Sequence, residues 1–131
     1  WPGTPAPPRP YMLQTMDVRE TPAWRKALGL AHEVCAALEG AGDLPGDSGQ
    51  RLRRAALAVP SLVADAFLDT GAGDCRQRLS DAAARVAELR QLLRTPELRL
   101  FVPGSEADAL LLEAEALAGE IQMLCGKCPE A

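Results

Sequence analysis

Histidine and tyrosine each occur once in 131 residues, and aromatic side chains make up only 4% of the chain. His32 is the sole imidazole, Tyr11 the sole phenol, and no glycine-rich phosphate loop is present. The parts for acid–base, triad or nucleotide chemistry are therefore few, and the expectation is a protein that is not an enzyme, with no cofactor, no metal and no small-molecule substrate. Long hydrophobic runs are lacking too. The longest charge-free stretch around the most apolar region is Ala55 to Ala64, far short of the ~20 residues that a membrane helix needs, so no membrane partner is expected. No charged segment followed by an apolar one opens the chain, and four cysteines beside a well-supplied core do not read as a disulfide framework. A cytoplasmic setting fits best on those grounds. Strand formers are scarce: Val, Ile and Thr number 12 together, against 23 Ala and 20 Leu. Ala and Leu lose little freedom in a helix, whereas β-branched residues supply what strands need.

Net charge is −4 with a pI near 5.0, a whole-molecule field that repels nucleic acid. Its distribution is uneven. Arg51 to Arg94 carries eight Arg against five acids, whereas Ser105 to Leu124 carries five acids and no base.

Five prolines fall within Trp1 to Pro10, which reads as a polyproline-like arm. The organisation expected is an arm or linker over 1–21, a helical domain over 22–126 and a tail over 127–131. Gly40 to Gly49, Thr70 to Asp74 and Thr95 to Gly104 read as loops from their Gly, Pro and Asp content. Four segments between them show helical periodicity. Trp24, Leu28, Ala31, Cys35 and Leu38 form the first seam, and Leu52, Ala56, Val59, Val63 and Ala66 the second. Leu79, Ala82, Val86, Leu89 and Leu93 form the third, and Ala107, Leu110, Ala114, Leu117, Ile121 and Leu124 the fourth. Alternating spacings of three and four, joined by short loops, predict an all-α, antiparallel up-and-down four-helix bundle. Asp47 with Gln50, Asp74 with Gln77 and Ser105 with Asp108 fit helix starts.

The second segment is apolar nearly all round, since only Ser61 and Asp65 are polar from Ala55 to Leu68. Such a helix is buried on two sides, and in a four-helix bundle a second protomer is the available cover. Leu57, Ser61, Ala64 and Leu68, with Ala84 and Ala87 on the small, barely charged outer face of the third segment, are the expected oligomer interface.

The run Arg51-Leu52-Arg53-Arg54-Ala55-Ala56-Leu57-Ala58-Val59-Pro60-Ser61-Leu62-Val63-Ala64-Asp65-Ala66 resembles the signature of small bacterial four-helix-bundle proteins first described from intervening sequences in 23S ribosomal RNA genes. That signature is usually written Q-L-R-R-A-A-x-S-I-P-x-N-I-A-E-G. Trp24-Arg25-Lys26-Ala27-Leu28 resembles the family's W-x-K-A-x-x-L opening, so the likeness spans about residues 22 to 126. Arg53, Arg54, Ala55, Ala56 and Pro60 match, whereas Arg51 stands for Gln, Ala58 for Ser, Leu62 for Asn, Asp65 for Glu and Ala66 for Gly. The likeness extends to the accessory variability determinant proteins of diversity-generating retroelements, similar bundles that assemble as pentameric barrels and bind nucleic acid and a reverse transcriptase. What it implies here is a homo-oligomer, a pentamer by analogy, with RNA or DNA and a reverse transcriptase as partners.

Pro60 removes a helical hydrogen bond and predicts a bend near Ala56, which either shapes the bundle or exposes a carbonyl. Arg51, Arg53 and Arg54 open the second helix, where the macrodipole disfavours cations, and Arg76 and Arg78 open the third, with Arg85, Arg90 and Arg94 beyond. One reading is contact with phosphates of nucleic acid or with a partner. The other is pairing with the acids of the fourth helix, Glu106, Asp108, Glu113, Glu115 and Glu120. Cys125 and Cys128 form a lone C-x-x-C without the context of a zinc or redox site, and both are expected to be reduced. Two functional readings stand: a non-enzymatic oligomeric scaffold that binds nucleic acid or a nucleic-acid enzyme, and a protein-interaction adaptor with no nucleic-acid role.

Overall fold

The computed structural model describes residues 17–68 and 72–128; the Pro-rich stretch 1–10 lies outside them. A short turn of 3-10 helix, Val18–Glu20, leads into α1 (Pro22–Ala41), followed by α2 (Ser48–Leu68), α3 (Ala72–Arg94) and α4 (Gly104–Cys125). Among the described residues there is no strand. Each helix packs on its sequence neighbour, and α4 closes the square by packing on α1. This is the all-α four-helix bundle that the periodicity predicts.

The seams predicted for α2, α3 and α4 are buried throughout. Leu52, Leu79, Leu89, Leu93, Leu117 and Ile121 are each at most 1% exposed, and a side chain of that size contributes about 1.5–3 kcal/mol on full burial. Alanines fill the spaces between them. Ala56, Ala66, Ala82, Ala107 and Ala114 are also at most 1% exposed, a result of close helix approach rather than of side-chain bulk. Pro60 is buried inside α2, and the helix runs on to Leu68.

The seam of α1 is displaced from the expected one. Ala23, Ala27, Leu30, Ala31, Val34 and Leu38 line the core, whereas Trp24 and Cys35 are only half-buried and Leu28 is 47% exposed. Two adjacent seams run along this helix, and the bulkier one lies outside.

Helix ends also differ from expectation. Asp47 stands before α2 and its carbonyl accepts from the Arg51 amide at 2.9 Å, but α3 begins at Ala72, which places Asp74 inside its first turn. Pro103 is the N-cap of α4, its carbonyl accepting from the Ala107 amide, so Ser105 is already helical. The first connection turns through Gly42 and Gly46, both at positive φ, a conformation open to glycine at no steric cost. The third connection is not a plain loop. Pro96–Arg99 forms one helical turn that buries Leu98 and Val102, and Arg99 donates to the Leu93 carbonyl at 3.1 Å and to Asp108 at 2.7 Å.

The expectation of a reduced Cys128 is overturned, whereas Cys125 is the free thiol expected. Cys75 in α3 is disulfide-bonded to Cys128 beyond the end of α4, and Cys128 is buried. Cys128, in the stretch that reads as a tail, is thereby fastened to the bundle; residues 129–131 lie outside the described ones. The argument from cysteine usage to a cytoplasmic setting loses its basis, because such bonds are rare where thiols are kept reduced. Among the described residues no helix is long and apolar enough to cross a membrane.

Candidate interaction surfaces

Most of the candidate arginines are paired. Arg51 of α2 reaches Glu88 of α3 at 3.7 Å, and Arg85 reaches the same carboxylate at 2.8 Å. Arg90 and Arg94 of α3 share Glu115 of α4, at 3.7 and 3.6 Å. Arg76 and Arg78 are exposed, and each takes part in an interaction within the chain. Arg54 meets Gln50, one turn earlier, at 3.5 Å, and Arg53 is exposed. Exposed pairs of this kind add little stability, yet they offset half of the charge of these four arginines, because each pair of them shares one glutamate. Arg90 and Arg94 follow the pairing reading, drawing an acid from α4, whereas Arg51 and Arg85 find theirs in α3. Glu106 and Asp108 do not face the start of α2, because α2 and α4 lie diagonally across the square, and Asp108 is held by Arg99.

The expected interface residues divide between two sides of the bundle. Leu57 is 52% and Leu68 77% exposed; Ser61, Ala84 and Ala87 are exposed and Ala64 is half-buried. Leu57 opens toward α1, where it lines a groove of about 650 Å³ with Trp24, Arg25, Leu28, Gly29, Ala31, His32 and Cys35. The junction of α2 with α3 is instead crossed by the Arg51–Glu88 pair. Sequence reading missed this groove by assigning Trp24, Leu28 and Cys35 to the core. The signal that reveals it is the adjacent run Ala23, Ala27, Leu30, Val34, Leu38, which is the one that packs.

Across the α1–α4 junction, Glu33 and Glu113 border a second cavity of about 250 Å³ with Lys26, Gly29, Leu30 and Ala116. A hydrogen bond to Glu33, then burial and the Glu33 charge, push the Glu113 carboxyl up to about 7. At the other end of α4, burial raises the Cys125 thiol above its ordinary value, and the nearby Arg76 charge only partly opposes it. A thiol of that kind is a poor nucleophile. His32 sits exposed at the rim of the α1–α2 groove.

Set against known proteins, the chain matches no family model and no curated protein.

Proposed function

We propose that the protein is a non-catalytic scaffold that works by self-association, in line with its resemblance to the small bundle proteins of ribosomal intervening sequences and to the retroelement accessory proteins. The observation that carries this reading is the apolar groove between α1 and α2, together with Leu28, Leu57 and Leu68 left 47%, 52% and 77% exposed. Exposed leucines singly are ordinary, but a contiguous apolar surface on a small bundle marks a contact. Sedimentation of the wild type and of Leu57→Glu with Leu68→Glu tests it. The wild type should sediment as an oligomer, a pentamer if the resemblance holds, and the double variant as a monomer, because charge in that contact is left unpaired. A double variant that sediments with the wild type would remove these leucines from any interface.

A second reading, engagement of RNA or DNA and of a reverse transcriptase, has one observation in its favour. Arg53 and Arg54 stand exposed at the start of α2, in none of the ion pairs found among the described residues. Repetition of this pair in an oligomer would build a basic rim, with weak, sequence-independent binding that falls steeply as salt rises. Titration of a single-stranded RNA across a salt series, with Arg53→Glu and Arg54→Glu as control, checks it. No binding by the wild type at about 50 mM salt leaves the protein-interaction scaffold alone.

A further inference from the structure

α4 carries a second seam on its outer side. Ser105, Ala109, Leu112, Ala116, Gly119 and Met123 succeed one another at spacings of four, three, four, three and four, and all six are exposed. None is charged. This is the heptad pattern of a helix–helix contact, and at ~100° per residue its mean direction lies roughly 150° from that of the buried seam. A helix turned only to water would place charge there. Instead acids fall on the two flanks between the seams: Asp108 and Glu115 on one, held by Arg99 and by Arg90 and Arg94, and Glu113 and Glu120 on the other, with Glu113 hydrogen-bonded to Glu33; α4 itself has no Lys or Arg. Leu112 and Met123 are 68% and 63% exposed, while Ala116 and Gly119 leave room for a second backbone to approach.

On the second flank Glu120 enters none of the ion pairs found among the described residues, so what covers the seam should bring a basic group there. A second α4 does not, since its own acids would face these at close range, and like charges side by side repel. The α1–α2 groove does. Its floor is apolar, with Trp24, Leu28 and Leu57, its α1 rim carries Arg25, and Arg53 precedes Leu57 by one turn on the same side of α2.

We propose that α4 of one copy seats its outer seam in the α1–α2 groove of a second copy. The inference rests on the self-association reading and adds the contact that performs it. Donor and acceptor faces differ, so each copy uses both, and contacts run head to tail into a ring or an open chain according to the rotation per step.

Two variants separate the faces: Leu112→Glu with Met123→Glu on the donor side, and Leu28→Glu with Leu57→Glu on the acceptor side. All four positions are exposed in the single chain, and circular dichroism verifies that each variant folds. Light scattering should give each variant alone the 13.9 kDa mass of one chain, and an equal mixture twice that mass and no more, since only one intact donor and one intact acceptor remain. A donor-side variant that still assembles like the wild type, or a mixture that stays monomeric, overturns the proposal while leaving self-association standing. A monomeric wild type overturns both.

A milder variant supplies an independent check. Ala116→Cys, treated with a short thiol cross-linker, should give covalent dimers and larger multimers that disappear when Cys35 in the groove is changed to Ser. Cross-linked species that are indifferent to Cys35→Ser place the α4 seam elsewhere and overturn the proposal.

Discussion

The α3–α4 side and the α1–α2 side of this bundle treat their surfaces in opposite ways. Along α3 and α4, Arg90 and Arg94 meet Glu115, Arg99 meets Asp108, and Arg51 and Arg85 meet Glu88. Five arginines meet three carboxylates there, and Cys128, just past α4, is fastened to α3 by a disulfide. Between α1 and α2 the surface is a groove of Trp24, Leu28, Cys35 and Leu57. An arginine count read from sequence overstates a basic face, because acids three residues away or one helix over offset part of it. Among the described residues nothing fills the apolar groove, which is why the interaction surface is proposed there.

The largest expected effect contrasts the two seams of α4. Leu117→Ala, on the buried seam, should destabilise by about 2–5 kcal/mol in denaturant unfolding. Leu112→Ala on the outer seam should change the stability of the isolated chain by no more than about 0.5 kcal/mol, read in the monomeric acceptor-side variant. Equal losses would mean that both seams belong to one core. Cys75→Ser with Cys128→Ser comes next. The bond joins residues 53 apart, and its loss should cost about 2–4 kcal/mol of stability, with no effect on assembly through the open side.

Glu88→Gln with Glu115→Gln sharpens the contrast from the other direction. It releases Arg51, Arg85, Arg90 and Arg94 from their carboxylates at a cost of less than about 1 kcal/mol per pair. Affinity for single-stranded RNA at low salt should rise as those charges become available. Unchanged affinity would show that these pairs are not what holds the field down. The smallest effect is in pH. The Glu113 carboxyl lies at about 7 when folded against 4.5 as its ordinary value, so the folded state holds the proton more tightly. Its contribution is therefore fully present below pH 4.5 and is lost as pH rises to about 7. Thermal melts from about pH 5 to about pH 8 should show that decline in the wild type and a flatter profile in Glu113→Gln.

The bundle itself was legible in the sequence because Leu and Val at spacings of three and four name a buried stripe whatever lies around them; for α2, α3 and α4 the predicted stripe is the observed one. In α1 the predicted stripe holds at Ala31 and Leu38 but not at Trp24, Leu28 and Cys35. There the bulky Trp24, Leu28 and Cys35 compete with a run containing Ala23 and Ala27, and only tight packing reveals that the alanines go inside. The Cys75–Cys128 bond was not legible, since a separation of 53 residues carries no spacing signal and the C-x-x-C draws the eye to Cys125 instead. Leu98 and Val102, four apart in a stretch read as loop, were a helical signal too short to register. The partners of the arginines depended on which helices are diagonal, a property of the assembled square.

The absolute molar mass of the wild-type chain, followed by light scattering on dilution from about 100 μM to about 1 μM, a span that brackets ordinary association constants, tests the central claim most directly. A covered groove requires a mass that is a multiple of the 13.9 kDa chain over the upper part of that range, falling to one chain in the acceptor-side variant. A mass of 13.9 kDa at every concentration would contradict it, and would leave the groove and the outer seam of α4 without a second copy to cover them.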